Sequence, residues 1–440
     1  MNRFPSTPID VLEITKGLRT IMNLVCKSAE IFRYWDYPYK KAVTAFEEMN
    51  LLDKLYWAYK CRNPVTRAEK GSNLHEYLEK NRKSVYLPSG FKKKDTITFC
   101  AVGDLIQYDG LENSKDILYE EVYDLIFDST ISCANLESPI TDKKLKKEII
   151  SDKESPVECC SRDQFNILKG YKDKFYTVMN TATNHIFDMG IEGIETTSKY
   201  LREDDIFYIG MNQEESGQYK GKIIEINGIK VGFASATFGL NGRDLPEGKD
   251  YLINVARLLP KNGKYDLTLL EKQIYFCIKE KCDIIITSLH WGYEFEFFPR
   301  DRQVEIAHSI IELGADIIIG HHPHVVQPVE YYQTKRDKNR IAIIAYSLGS
   351  LIWAYSAPYL VLSGILKLSL ANGTFLGEEK TYIENATITP VFRERDNMGD
   401  SSVMRIKKLN DCLSNQENTE ILEYLSEIKK YSDLVFEKLH

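Results

Sequence analysis

Five of the eight histidines in this chain fall in three short stretches: His185, then His290, then His321, His322 and His324. A neutral imidazole is a ready ligand for divalent metals, and three of them within Gly320-His-His-Pro-His324 are hard to explain by packing. Each stretch stands at or just beyond the end of an apolar, β-branched run. That places the imidazoles at the C-terminal edges of strands, where open α/β sheets gather their sites. Oxygen donors stand at similar places. Asp104 closes Phe99-Cys-Ala-Val-Gly-Asp104, Glu137 closes Asn135-Leu-Glu137 and offers a carboxylate able to bridge two cations, and Asn184-His185 sets an amide oxygen beside an imidazole with Asp188 three residues on. Plainer roles exist for each taken singly: an aspartate there also caps a helix, a glutamate past a strand is commonly only solvated, and a lone histidine ending a strand is commonly a satisfied rim residue. Gly103 and Gly320 read as permitting sharp turns, with Pro323 stiffening the second. A helix starting at Asn184 would put Asp188 one turn along the same face, where it could cap or orient the site.

Mixed oxygen and nitrogen donors suit Mn, Fe or Zn better than Ca, and no cysteine pair offers a thiolate site. One or two divalent ions are therefore expected. A two-ion arrangement, with the ions about 3.5–4 Å apart, orients a hydroxide and polarises a scissile ester or amide. His185 would then give a proton or hydrogen bond to the leaving group.

The elements that must position these residues are legible as alternating patterns. Strand-like runs occur at Thr96–Val102, Ile131–Leu136, Tyr176–Ala182, Lys222–Ile226, Val231–Ala236, Asp283–Leu289, Ile317–Ile319, Arg340–Ala345, Gly364–Leu370 and Thr381–Val391, with helical patterns between several of them. This alternation predicts a layered α/β fold. Asn227-Gly228 and Asn372-Gly373 are hairpin signals, so the sheets should be mixed. Residues 1–94 read as a helical N-terminal element and linker, broken at Pro38. Its aromatic cluster, Tyr34, Trp35, Tyr37, Tyr39, Tyr56, Trp57 and Tyr59, is read as packing against the main domain, with a binding surface as the alternative. Residues 95–395 read as the main domain. Residues 396–440 read as a helical tail from Ser401 onward, with Asn418 or Thr419 as a cap and the helix docking on what precedes it.

A formal net charge of -7 gives no global cationic field, so no nucleic-acid partner is expected. The lysine runs Lys92–Lys94 and Lys143–Lys147 read as solvated. Nine cysteines, an odd number with only Cys159 and Cys160 adjacent, fit reduced thiols in a cytoplasmic setting. The N-terminal stretch lacks the pattern of a signal peptide, and no apolar run approaches the roughly 18 residues of a spanning helix.

Taken in order, Val-Gly-Asp104, Asn135-Leu-Glu137, Asn184-His185-x-x-Asp188-x-Gly190-x-x-Gly193, His290-Trp-Gly-x-Glu294, Gly320-His-His-Pro-His-Val-Val-Gln327 and Tyr346-Ser-Leu-Gly349 resemble the CapA-like family of poly-γ-glutamate capsule synthesis proteins of bacteria over roughly residues 95–395. That family is similar to the calcineurin-like metallophosphoesterases. The resemblance implies a four-layer α/β sandwich and a divalent metal centre carried by Asp104, Glu137, Asn184, His290, His322 and His324, with His185 in the catalytic position and Asp188 beside it. Between His321 and His322 as ligand the choice stays open, with His322 preferred. The resemblance further implies that Trp291, Glu294, Pro299 and Gln303 shape the pocket; strand-to-helix packing is an equal account of them. Phosphoesterases usually carry a histidine two residues after the first aspartate, where this chain has Ile106, and an aspartate where it has Glu137. The functions implied are a metal-dependent hydrolase of a phosphoester or of an amide or γ-glutamyl bond, or a non-hydrolytic accessory protein handling a poly-γ-glutamate-like acidic polymer.

Overall fold

The computed structural model describes residues 5–80, 84–143, 156–398 and 401–436. Three helices lead the chain, α1 (Lys16–Ile31), α2 (Leu51–Lys60) and α3 (Leu74–Lys80), joined by turns and irregular segments. The strands follow as β1 (Lys92–Leu105), β2 (Ile131–Leu136), β3 (Gly170–Tyr171), β4 (Lys174–Phe175), β5 (Val178–Asn180), β6 (Phe207–Ile209), β7 (Lys222–Ile226) and β8 (Ile229–Thr237). Then come β9 (Ile284–His290), β10 (Ile317–His321), β11 (Val329–Gln333), β12 (Ile341–Ala345), β13 (Ser350–Ile352), β14 (Leu362–Phe375), β15 (Glu378–Met398) and β16 (Ser401–Lys408).

Two mixed sheets result. One has the order β16-β15-β14-β1-β2-β5-β6, with β13 also paired to β1; the other runs β11-β12-β10-β9-β8-β7. In both, the central strands are parallel; antiparallel hairpins close both edges of the second sheet and one edge of the first, whose other edge strand, β6, runs parallel to β5. The period-two alternation of the strands sorts their side chains cleanly. Ile97, Phe99 and Ala101 of β1 share one core with Ile284 and Ile286 of β9 and with Ile317 and Ile319 of β10, so the two sheets face each other through it. Cys100 and Val102 turn the other way into a second core with Phe165 and Ile194 of overlying helices. Ile285 and Ile318 turn into a third with Ile274 and Ile306 of the helices Thr268–Lys279 and Asp301–Leu313.

Three local readings give way to the structure. The Asn227-Gly228 turn joins β7 to β8 as expected, both residues having positive φ. Asn372 and Gly373, by contrast, lie inside β14, and the β14–β15 turn falls at Leu376-Gly377, whose φ values are 52° and 86°. Ser401–Lys408 is not helical: it is strand β16, paired along β15, and helices resume at Leu409–Asn415 and Thr419–Val435, the latter capped by Asn418. Gly103 and Gly320 do not turn the chain either; both continue their strands. A Cβ on Gly103 would stand 1.8 Å from the Gly349 carbonyl oxygen, and one on Gly320 would stand 1.9 Å from that of Tyr346. Their missing side chains let the Tyr346–Gly349 segment pass against both strand ends.

None of the nine cysteines is joined in a disulfide. Among the described residues no helix is long and apolar enough to cross a membrane. Lys93 and Lys94 pair with Glu384 and Glu379 on the surface, and Lys143 with Glu192; the rest of the Lys143–Lys147 run lies outside the described residues.

Gly103→Ala should lower stability in urea denaturation by about 2 kcal/mol or more, because a backbone carbonyl cannot yield to the methyl as a side chain could. Gly17→Ala in α1, where nothing lies within 4 Å, should raise it by roughly 0.5 kcal/mol.

Candidate metal centre

Strand register brings the chemistry together. Asp104 of β1 pairs in register with Asn135 of β2 and with Ser350 of β13, and His290 of β9 pairs with His321 of β10. Asp104, Asn135, His290 and His321 lie at the C-terminal ends of parallel strands, while Ser350 opens β13. Asp104 is fully buried; Asn135 donates to its Oδ1 at 2.9 Å, and His321 Nδ1 and His324 Nδ1 approach it at 3.4 and 3.2 Å. Burial alone would raise Asp104, but these imidazoles outweigh it and hold the carboxyl well below its ordinary range. Glu137, the residue that follows β2, is equally buried, and among the described residues neither of its oxygens has a hydrogen-bond partner. Burial, and then repulsion from Asp104, push it well above the usual carboxylate range. His290 Nε2 stands 3.6 Å and His324 Nε2 3.9 Å from it.

Asn184 meets His290 Nε2 at 2.8 Å through Oδ1 and donates to Asn241 at 3.1 Å. His322 holds Thr44 Oγ1 at 2.9 Å through Nε2, while its Nδ1 has no partner. Burial, followed by the neighbouring His290 and His324, lowers His322 well below the ordinary histidine range, and burial does the same for His290. Both are therefore neutral, the form that coordinates metal. His322 and His324 have φ of 94° and 57°, left-handed values that cost a side-chain-bearing residue energy.

Donor atoms of Glu137, His322 and His324 lie within 4.8 Å of one another, and so do those of Asp104, Glu137 and His290. Two buried carboxylates, one accepting no hydrogen bond, beside neutral imidazoles of which His322 keeps Nδ1 unpaired form a set a divalent cation fits: it would offset the desolvation that protein hydrogen bonds here do not. His321 and His322 are not alternatives in space. One faces Asp104 and the other joins Glu137 and His324.

His185 stands beside this cluster. Its Nδ1 lies 2.7 Å from Asp188 Oδ2, which also accepts the Glu158 N–H at 2.7 Å, while Arg243 pairs with Asp188 Oδ1 at 2.9 Å. The helix begins at Gly190, not Asn184, so Asp188 reaches back through a tight turn closed by its own N–H on the His185 carbonyl. Glu294 accepts a hydrogen bond from Trp57 Nε1 and lies 4.0 Å from His324. Trp291 is instead stacked on Tyr346 in the core beneath, and Gln303 is packed under Gly292; neither lines the cavity above the cluster. Pro299 is buried as well. Ile106 is a core residue.

The sequence reading left out Asn135, which clamps Asp104 against His290, together with Asn241, Arg243, Ser350 and Thr44. Asn135 stood in a motif already quoted. Thr44 carries no signal at all, because only the fold brings it across from the N-terminal element.

That element is anchored by charge. Glu296 accepts from Arg300 through two nitrogens at 3.0 and 2.9 Å, from Lys60 at 3.1 Å and from Tyr56 at 3.0 Å. Burial would raise Glu296, but Arg300 and then Lys60 hold it down at about 2. Burial lowers Lys60 in spite of Glu296, whereas Arg300 is raised, so the forked Arg300 contact is the dominant one. Trp35 packs on Tyr56 and Tyr59, and Val65 pairs with the backbone around Glu296.

Fold and cluster together define a two-sheet α/β protein with a carboxylate, amide and imidazole centre at its strand ends. The chain belongs to the bacterial capsule synthesis protein family PGA_cap, whose profile matches residues 98–355. It is 26% identical over 320 residues to the PGA biosynthesis protein CapA of Bacillus subtilis, covering 71% of this chain and 77% of that one. It is also 26% identical to the capsule biosynthesis protein CapA of Bacillus anthracis, over 62% of this chain and 63% of that protein, just under two thirds of its length. A probable polyglutamine synthesis accessory protein of Mycobacterium tuberculosis is 37% identical over 161 residues, 35% of this chain and 41% of its own. Among solved structures, the calcineurin-like phosphoesterase YfkN of Bacillus subtilis aligns over 78% of this chain and 98% of its own at 14% identity and a TM-score of 0.37.

Glu296→Gln should destabilise the protein at neutral pH by roughly 3 kcal/mol, since it leaves two buried cations short of their counter-charge. Glu296 titrates near 2 when folded against an ordinary 4.5, so its contribution is full above about pH 4.5 and is lost as pH falls toward 2. The gap between wild type and variant in denaturant melts should therefore close over that window; a gap independent of pH would contradict the assignment.

Proposed function

We propose that this chain is a metal-dependent hydrolase acting on a phosphoester or on an amide or γ-glutamyl bond. One observation carries the reading: two fully buried carboxylates, Asp104 and Glu137, lie among neutral imidazoles with Glu137 unpartnered. Asp104, Glu137, Asn184, His290, His322 and His324 would hold one or two divalent ions, with Mn, Fe or Zn suiting this donor set. Such ions, when bound, supply Lewis acidity toward the scissile group and ease the ionisation of water.

The chain's own groups do the rest. Arg243 and the Glu158 N–H fix Asp188, and Asp188 fixes the His185 ring through Nδ1. That leaves Nε2 on the cavity side, 3.4 Å from the Asn241 amide. As water oxygen bonds to phosphorus or carbonyl carbon and the bond to the leaving atom breaks, a proton at His185 Nε2 passes to that leaving oxygen or nitrogen, and the proton the water gives up restores the one His185 has lost. Asn184 and Asn241 hold each other and flank the ring, so it needs no reorganisation as the reaction proceeds.

A second reading is a non-hydrolytic accessory role in handling a poly-γ-glutamate-like polymer, favoured by the names of the relatives. Elemental analysis beside turnover of an aryl phosphodiester and a γ-glutamyl peptide separates the two. The hydrolase predicts bound metal that is lost in His290→Ala and in His324→Ala. It also predicts that His185→Ala keeps its metal and loses kcat by about 10²–10⁴. Metal without turnover of either substrate favours the accessory role, and failure to take up any of the three metals sinks both the site and the reading.

A further inference from the structure

A cavity of about 420 Å³ stands directly over His185, Asn184 and His322. Its floor is polar and belongs to the site. Its walls are not: they come from α1, α2 and the segment before α2, through Leu18, Met22, Phe46, Met49, Leu51 and Leu55. These residues precede the segment that matches the family. Of the described residues lining the cavity, Lys54 alone carries a fixed positive charge, and its Nζ is turned over the Phe46 ring at 5.0 Å. A polyanion laid in this space would set carboxylates against aliphatic walls, at the cost of losing their hydration. At its edge, Leu18 and Leu51 are 36% and 71% exposed, and Ile21, one turn on from Leu18, is 59% exposed. An apolar lip thus leads to an apolar chamber that ends on the imidazole placed to protonate a leaving group.

We propose that the substrate is amphiphilic: a phosphoester or amide whose reacting end sits on the metal-ligand cluster and whose aliphatic chain fills the chamber beneath α1 and α2. The proposal rests on the hydrolase reading for its reacting end, but the chamber recognises the chain by burial alone. Poly-γ-glutamate itself is then not the group bound in this chamber.

Calorimetric titration with methyl-, butyl- and octylphosphonate, below micelle-forming concentrations, tests this on the full chain in metal-loaded and chelator-treated form. The affinity should tighten by roughly two- to fourfold per added methylene in both forms. The increment should fall by at least half in Leu51→Asp, a lip position that is 71% exposed. Equal affinity for methyl- and octylphosphonate overturns the proposal, as does an undiminished increment in the variant, which would put the chain elsewhere on the molecule. A chain-length increment with no gain on metal loading upholds the chamber while removing support for the hydrolase reading. Presenting the same alkyl chain in a phosphatidylcholine vesicle distinguishes a membrane-held substrate, which would show tighter apparent binding than the free phosphonate, from a soluble one.

Discussion

Two carboxylates that water cannot reach lie side by side at the centre of this molecule, and much of the surrounding architecture follows from that. Asp104 stays ionised because Asn135 and two imidazoles face it. Glu137 accepts no hydrogen bond among the described residues, and burial and then Asp104 drive it toward its neutral form. A site with two such different carboxyls a few ångströms apart is balanced only by a cation between them, or by a proton on Glu137 when no cation is there. The histidines lowered by burial fit the same logic, since neutral imidazoles offer lone pairs without adding charge. The strand ends supply these groups because parallel register sets Asp104 beside Asn135 and His290 beside His321.

The N-terminal element is part of this arrangement. Thr44 holds His322, Trp57 holds Glu294, and the buried Glu296 cluster fastens α2 to the loop that follows β9. Each contact joins residues more than two hundred positions apart, so no local pattern announces it. What these contacts achieve is a roof over the metal-ligand cluster whose underside is aliphatic, which excludes water and raises the strength of every electrostatic interaction below.

The sequence revealed most where one residue's chemistry or one period decided the outcome. Runs such as Lys222–Ile226 and Ile284–Leu289 coincide with strands because their β-branched residues leave little else available. The short strands β6, β11 and β13 escaped, being held by their neighbours more than by their own pattern. Asn372-Gly373 misled because a turn-type dipeptide was absorbed into a long hairpin whose register placed the reversal four residues later. Clustered histidines marked the site itself, and the ligand-type residues do converge. Trp291 and Gln303 differ: Trp291 leaves the loop after β9 on the core side and Gln303 lies buried in the helix Asp301–Leu313 under Gly292, directions that spacing alone does not encode.

His321, His322 and His324 make the last point about how sequence became site. Three imidazoles so close in the chain would ordinarily splay along a strand or a turn, some of them into solvent. Here β10 continues through Gly320, against which the Tyr346 carbonyl presses, to His321, and left-handed backbone at His322 and His324 then swings the rings apart. His321 faces Asp104, His322 meets Thr44, and His324 packs on Trp353 with its ring nitrogens toward Asp104 and Glu137. Two strained residues in sequence cost of order 1–3 kcal/mol each, and they persist because packing from both sheets and from the N-terminal roof fixes every ring. The strain lies where rigid aim matters most, at the two histidines on either side of Pro323.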